Sequence, residues 1–218
     1  MSRQLRLDLD RASSHDRSDF IVSPANAEAV RALDGWPEWH GRCLTLWGPA
    51  GSGKTHLAET WAERVGAMRW KEGAELAAVS GRPVLFEDGD RGCEDETLFH
   101  LINMAAAGGG LLLTGRTPPS AWPARLPDLR SRLNALPVAQ LHEPDDGVLS
   151  GVMSRLFREK HIRAPEDLLV YLIRRIERSV PAARETVRRI DDAASAQGRP
   201  ISRALARELL EESGDLFG

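Results

Sequence analysis

The stretch Gly48-Pro49-Ala50-Gly51-Ser52-Gly53-Lys54-Thr55 decides the fold. It runs from the apolar segment Leu44-Thr45-Leu46-Trp47 into Thr55-His56-Leu57-Ala58-Glu59-Thr60-Trp61, so a glycine-rich turn ending in Lys-Thr joins a strand to an amphipathic helix. This is the pattern G-x-x-x-x-G-K-[ST] in the strand–turn–helix setting it requires. The glycines let the backbone fold tightly enough to aim successive N–H groups at phosphate oxygens. The helix that follows adds the positive end of its dipole. Lys54 is placed to reach the β- and γ-phosphates, and Thr55 to offer a hydroxyl to Mg²⁺. ADP or ATP with Mg²⁺ is therefore the expected cofactor. Pro49, Ala50, Gly51, Ser52, Gly53, Lys54, Thr55 and His56 are its expected contacts.

A hydrolytic site also needs a second carboxylate anchor for the metal and a base to orient water, both commonly at the end of a neighbouring apolar strand. Val84-Leu85-Phe86-Glu87-Asp88 supplies them, with Glu87 expected on the metal side and Asp88 on the water side. An ordinary acidic turn is the competing reading, and Asp90 is a spare carboxylate. Leu111-Leu112-Leu113-Thr114 is a further buried strand, and Thr114 at its end is placed either to touch the γ-phosphate or to serve only as a strand terminus. Arg130 and Arg132 stand two apart and cannot share a helix face. One reads as structural and the other as free to act on a neighbour's nucleotide.

With Met68-Arg69-Trp70 and Pro137-Val138-Ala139-Gln140-Leu141, five strand candidates alternate with helical segments. The expected base over residues 19–144 is a parallel sheet with helices on both faces. From Pro144 the pattern is helical only, with helices opened by Asp145/Asp146, Pro165, Pro181 and Ser202, giving an expected lid over residues 145–218. The 218 residues, 42% hydrophobic and 28% charged, suffice for such a core. No apolar run approaches the roughly 20 residues that cross a bilayer, and Cys43 and Cys93 do not read as a disulfide pair. The net charge of −3 argues against a dedicated DNA-binding surface.

Residues 1–18 form a tail. Gln4-Leu5-Arg6-Leu7-Asp8-Leu9-Asp10 alternates strictly, and a polar, aperiodic linker follows. Periodicity alone leaves two options open, an edge strand or a linear motif that adds itself to another protein.

Together these parts resemble the AAA+ domain of the bacterial replication initiator DnaA, and more closely the short Hda-type relatives that inactivate DnaA. The resemblance runs from residue 19 to the end. Its landmarks are Phe20-Ile21-Val22-Ser23-Pro24-Ala25-Asn26, Gly51 to Leu57, Leu112-Leu113-Thr114 with Pro118-Pro119, Ser131-Arg132-Leu133, Arg184-Glu185, and Arg199-Pro200-Ile201. It implies Ile21, Val22 and Pro24 near the adenine, Arg132 as an arginine finger, and Arg184 as a phosphate contact from the lid. It implies that Gln4, Leu5, Leu7 and Leu9 form a motif for the sliding clamp, the beta subunit of DNA polymerase III. Two departures stand out: Glu-Asp replaces Asp-Asp, and Thr114-Gly115-Arg116-Thr117 lacks the aspartate that the initiator has near Arg116. Both bear on intrinsic hydrolysis rather than on binding.

The function that follows is activation of ATP hydrolysis on DnaA by a clamp-tethered, nucleotide-bound partner, repressing re-initiation, in the bacterial cytoplasm at the replisome or nucleoid. The resemblance implies that the chain stops where an initiator continues into its DNA-binding domain, so direct sequence-specific DNA binding and membrane contact are not expected. A homo-dimer is left open. The rival readings are a self-hydrolysing AAA+ ATPase such as a helicase loader, and a clamp-binding adaptor with a structural nucleotide.

Overall fold

The computed structural model describes residues 17, 20–71 and 73–214. The expected clamp motif at Gln4, Leu5, Leu7 and Leu9 lies outside the described residues. Five parallel strands form one sheet: β1 (Cys43–Trp47), β2 (Met68–Arg69), β3 (Pro83–Phe86), β4 (Gly110–Gly115) and β5 (Val138–Gln140), in the order β2-β3-β4-β1-β5. The register sets Leu46 beside Thr114 and Phe86 beside Leu113. The central strands are apolar on both faces because helices cover both.

The period of two along the strands sorts side chains between the two faces. Leu44 and Leu46 of β1 and Leu112 of β4 pack with Leu57, Ala58 and Trp61 of α2 (Lys54–Val65) and Leu33 of α1 (Ala27–Asp34). Cys43, Leu111 and Leu113 pack on the opposite face with Leu98, Leu101 and Ile102 of α3 (Asp95–Ala106) and Leu129 and Leu133 of α4 (Pro127–Ala135). Trp36, Trp39 and Trp61 meet ring to ring, with centroids 4.9 to 5.4 Å apart, and wedge α1 against α2.

The chain then turns to helices α5 (Asp146–Glu159), α6 (Glu166–Ile173), α7 (Val180–Gln197) and α8 (Arg203–Gly214). They share an apolar cluster that includes Leu149, Phe157, Leu172, Val187, Ile190 and Leu205. Three of the four starts carry a side-chain cap. Asp145 accepts the N–H of Val148 (2.9 Å), Ser179 that of Ala182 (3.2 Å) and Ser202 that of Leu205 (3.4 Å). Gly198, left-handed at φ 61°, closes α7. The α/β sheet followed by helices is the expected fold class.

One local expectation differs from the structure. Asn26 and Ser23 are the residues of capping type before α1, but Asn26 does not cap it with its side chain; its amide accepts from the N–H of Ser23 (3.0 Å) and donates to the Ile21 carbonyl (2.9 Å). Pro165 stands just before α6, at its N-cap position. Cys43 and Cys93 are both free thiols. Among the described residues, no helix is long and apolar enough to cross a membrane.

Candidate functional site

The sheet order brings three strand ends together. The loop Gly48–Thr55 leaves the C-terminal end of β1, Thr114 ends β4 beside it, and Glu87-Asp88 follow β3 one strand further on. Two close approaches fix the loop. Gly48 passes so near the Leu141 carbonyl that a Cβ would sit 2.0 Å from its oxygen, and Gly51, at φ +73°, packs on Ser179. Gly53 stands at the N-cap of α2 and carries no capping side chain, so the helix's first N–H groups are left to an anion.

Lys54 is the least ordinary residue in the loop. It is 9% exposed, and its Nζ donates to the carbonyls of Gly48 (2.9 Å) and Pro49 (2.8 Å). Among the described residues no carboxylate lies within ion-pair distance of it. Burial lowers its pKa, Arg116 pushes the same way, and the charges of Asp88 and Asp90 oppose them. The Ser52 Oγ is buried with no hydrogen-bond partner among the described residues. A buried ammonium held only by neutral acceptors is costly unless an anion completes its shell. These residues therefore fit a phosphate.

The three carboxylates beyond β3 have separate neighbours. Burial raises the pKa of Glu87, and a hydrogen bond from the Thr55 hydroxyl partly reverses it. Asp88 is left-handed (φ 53°, ψ 40°); its N–H donates to Thr114 Oγ1 (3.0 Å), and its carboxylate pairs with Arg91 (3.2 Å). Asp90 accepts the N–H of Arg116 (2.8 Å) through one oxygen, and the other is buried without a partner among the described residues. The Thr55 hydroxyl and the Glu87 carboxylate thus stand within hydrogen-bond reach of each other, the two groups that the sequence assigns to Mg²⁺. Thr114 links the acidic turn to β4.

The segment Phe20–Asn26 lies over the loop. The Phe20 ring packs on Gly53, where a Cβ would come within 3.1 Å, and tilts on the His56 ring at 5.6 Å. Ile21 packs against Gly151 of α5, while Val22 (53% exposed) and Pro24 face solvent. From the other side α7 docks on the loop: the N–H of Val180 donates to the Gly51 carbonyl at 3.1 Å. Arg184 is one turn into that helix and exposed.

Arg132 lies elsewhere. Arg130 donates to the carbonyls of Ser120 (3.1 Å) and Ala124 (3.3 Å), whereas Arg132 is exposed with its guanidinium 5.8 Å from the Phe99 ring centroid. Burial pushes the Cys43 thiol up to about 12, and the Arg132 charge pulls it back. Cys43 opens β1 and the loop leaves its other end, roughly 13 Å along the strand at about 3.3 Å per residue. Arg132 therefore lies toward the end of the sheet opposite this chain's own loop.

No family model matches the chain. It is similar to the chromosomal replication initiator DnaA of Sphingopyxis alaskensis, 25% identical over 95% of this chain and 52% of that protein. It is similar also to DnaA of Thermomicrobium roseum, 29% identical over 88% of this chain and 48% of that protein. The chain thus spans about half the length of the curated relatives it matches. Among solved structures it resembles domain III of Thermotoga maritima DnaA, with a TM-score of 0.76, 20% identity, and 92% and 97% of the two chains covered. AMPPCP-bound DnaA from Aquifex aeolicus superposes with a TM-score of 0.64 at 16% identity, over 82% and 65% of the chains.

The fold is that of a DnaA-like AAA+ domain. The loop, the acidic turn and Thr114 gather at neighbouring strand ends, the segment from Phe20 and the start of α7 pack against the loop, and Arg132 does not join them. Sequence reading missed Phe20, Gly151 and Ser179 as parts of the site. Phe20 opens the quoted Phe-Ile-Val-Ser-Pro-Ala-Asn element and was legible there. Gly151 and Ser179 carried no local signal, because their role is to let distant segments touch.

Proposed function

We propose that this chain is a nucleotide-binding regulator of replication initiation of the Hda type, which activates ATP hydrolysis on a separate DnaA molecule. The observation that carries the reading is the placement of Arg132: exposed, held by Phe99, and directed away from the chain's own phosphate loop while Arg130 is tied to main-chain carbonyls. An arginine so placed is available to a nucleotide held by another molecule rather than to this chain's own. Exposed on a packed helix, it is suited to stabilise charge developing on a γ-phosphate in trans, an effect on the order of 10³–10⁵ in rate.

The chain's own site supports a nucleotide, as the AMPPCP-bound DnaA structure also suggests. Lys54 and the loop N–H groups would hold the phosphates, Ile21, Val22 and Pro24 would flank the base, and Thr55 with Glu87 would hold Mg²⁺, which supplies charge neutralisation when bound. Because α7 begins on Gly51, a ligand in the loop would brace the helical part against the sheet, and Arg184 would reach it from the lid. The tail residues Gln4, Leu5, Leu7 and Leu9 would tether the protein to the sliding clamp.

Hydrolysis of DnaA-bound ATP on clamp-loaded DNA tests the reading, with wild type compared to Gln4→Ala/Leu5→Ala. Stimulation should require the loaded clamp and vanish in the tail variant. Equal stimulation without clamp would refute the tether. A second reading, hydrolysis of the chain's own ATP, is favoured by the nearness of Glu87 and Asp88 to Thr55 and Lys54. Turnover by the isolated protein, abolished by Asp88→Asn, would support it.

A further inference from the structure

On the helical part, α6 and α8 border a cleft of about 650 Å³ that shares no residue with the phosphate-loop site. Its positive charge is unexpected in a chain of net charge −3. Arg174 and Arg175 lie at the C-terminal end of α6, where the helix dipole favours cations. Arg203 has no such explanation. It opens α8, at the positive end of that helix, and the first turn contains no acidic residue. Among the described residues none of the three guanidinium groups has a carboxylate within ion-pair distance.

Two of the three are held in place. The Tyr171 ring is buried, with the Arg175 guanidinium 3.9 Å and that of Arg203 5.3 Å from its centroid. A guanidinium restrained by its face on a ring keeps its N–H edge available for an oxyanion. Three guanidinium groups and a helix N-terminus, set against the two carboxylates of Glu166 and Asp167, leave this cleft with an excess of positive charge among the described residues.

We propose that this cleft binds an acidic, partly apolar peptide segment of a protein partner, its carboxylates on Arg174, Arg175 and Arg203 and an apolar side chain on Val170. Two features select a peptide over a nucleic-acid backbone. Glu166 and Asp167 line the same cleft and can accept peptide N–H groups, which a sugar-phosphate backbone lacks. Val170, 46% exposed, offers an apolar contact that a phosphate chain does not use.

The test is fluorescence anisotropy with the full chain and a labelled Asp-Leu-Asp-Leu-Asp-Leu peptide, with an oligothymidylate of equal charge as competitor. The peptide should bind saturably, at least tenfold more weakly to Arg203→Ala and to Arg174→Ala, and more tightly to Glu166→Gln. Arg203→Lys, which keeps the charge but not the planar fork, should bind severalfold more weakly than wild type. Arg203→Ala should shift the melting temperature little, since losing its contact with Tyr171 and removing a cation from a helix N-terminus oppose each other. Unchanged peptide affinity in the arginine variants would overturn the proposal. So would an oligothymidylate that binds more tightly than the peptide.

Discussion

Replacing Gly51 by alanine tests whether the phosphate loop and α7 are one mechanical unit. Gly51 is left-handed, and an added Cβ would stand 2.6 Å from Ser179 Cβ and 3.1 Å from Pro181 Cδ. Gly66, left-handed at the end of α2, provides the control because nothing lies within 4 Å of its missing Cβ. The conformational cost alone is about 1–2 kcal/mol for each. Overpacking against α7 adds about 1–3 kcal/mol at Gly51 only. Urea denaturation should therefore give a loss of about 2–5 kcal/mol for Gly51→Ala against about 1–2 kcal/mol for Gly66→Ala. If the collision is relieved by α7 lifting, the Val180–Gly51 hydrogen bond, worth about 1 kcal/mol, is lost instead. A double-mutant cycle separates direct loop damage from this clash. Ser179→Gly alone should cost only a few tenths of a kcal/mol, since glycine is a tolerated N-cap. In the Gly51→Ala background it should restore about 1 kcal/mol or more, because neighbours in contact are non-additive. Additive effects at Gly51 and Ser179, or equal losses at Gly51 and Gly66, would refute the docking argument.

Lys54→Met keeps the volume but removes a buried charge that lacks an anionic partner, so the ligand-free protein should melt no lower than wild type while fluorescent ADP binding falls at least 100-fold; a large drop in ligand-free stability would mean that the lysine holds the loop together instead. The folded Lys54 pKa is lowered, so the unfolded chain binds more protons between that lowered value and 10.5. Stability of the ligand-free protein should accordingly rise with pH through that window, and Lys54→Met should flatten the rise. At Asp145, burial acts upward, but the N–H of Val148, the Ser23 hydroxyl and the N–H groups of Ala25 and Gly147 outweigh it and hold the carboxyl below its ordinary 3.8. The stability it contributes is present above 3.8 and lost as pH falls through the lower folded value, so Asp145→Ala should cost about 1 kcal/mol at pH 7 and little at the most acidic pH at which the fold persists. A penalty that does not change with pH would argue against the capping role.

The strands and the phosphate loop were legible because their signals are local: Leu111-Leu112-Leu113 is apolar whichever face it meets, and Gly-Ser-Gly-Lys-Thr carries its backbone requirement with it. The Glu87-Asp88 pair was visible for the same reason, but the contacts that hold Asp88 were only partly so. Arg91 pairs with Asp88 three residues along the chain, but the Thr114 hydroxyl beneath the Asp88 N–H is set by how strands align, not by spacing along the chain. Asn26 shows the same limit, since its residue type suggested a helix cap while the available partners were the Ser23 N–H and the Ile21 carbonyl. The contact of α7 with Gly51 was illegible, because it joins residues about 130 apart through a carbonyl that every residue possesses.

The proposed function depends most directly on Arg132. The decisive measurement is the single-turnover rate of hydrolysis of DnaA-bound ATP, with clamp-loaded DNA and saturating nucleotide, for wild type and Arg132→Ala. The account predicts that Arg132→Ala keeps its fold, its ADP affinity and its clamp binding, yet loses the stimulation, a fall on the order of 10³ or more where a trans-acting arginine carries the rate. Stimulation by Arg132→Ala equal to that of wild type would contradict it.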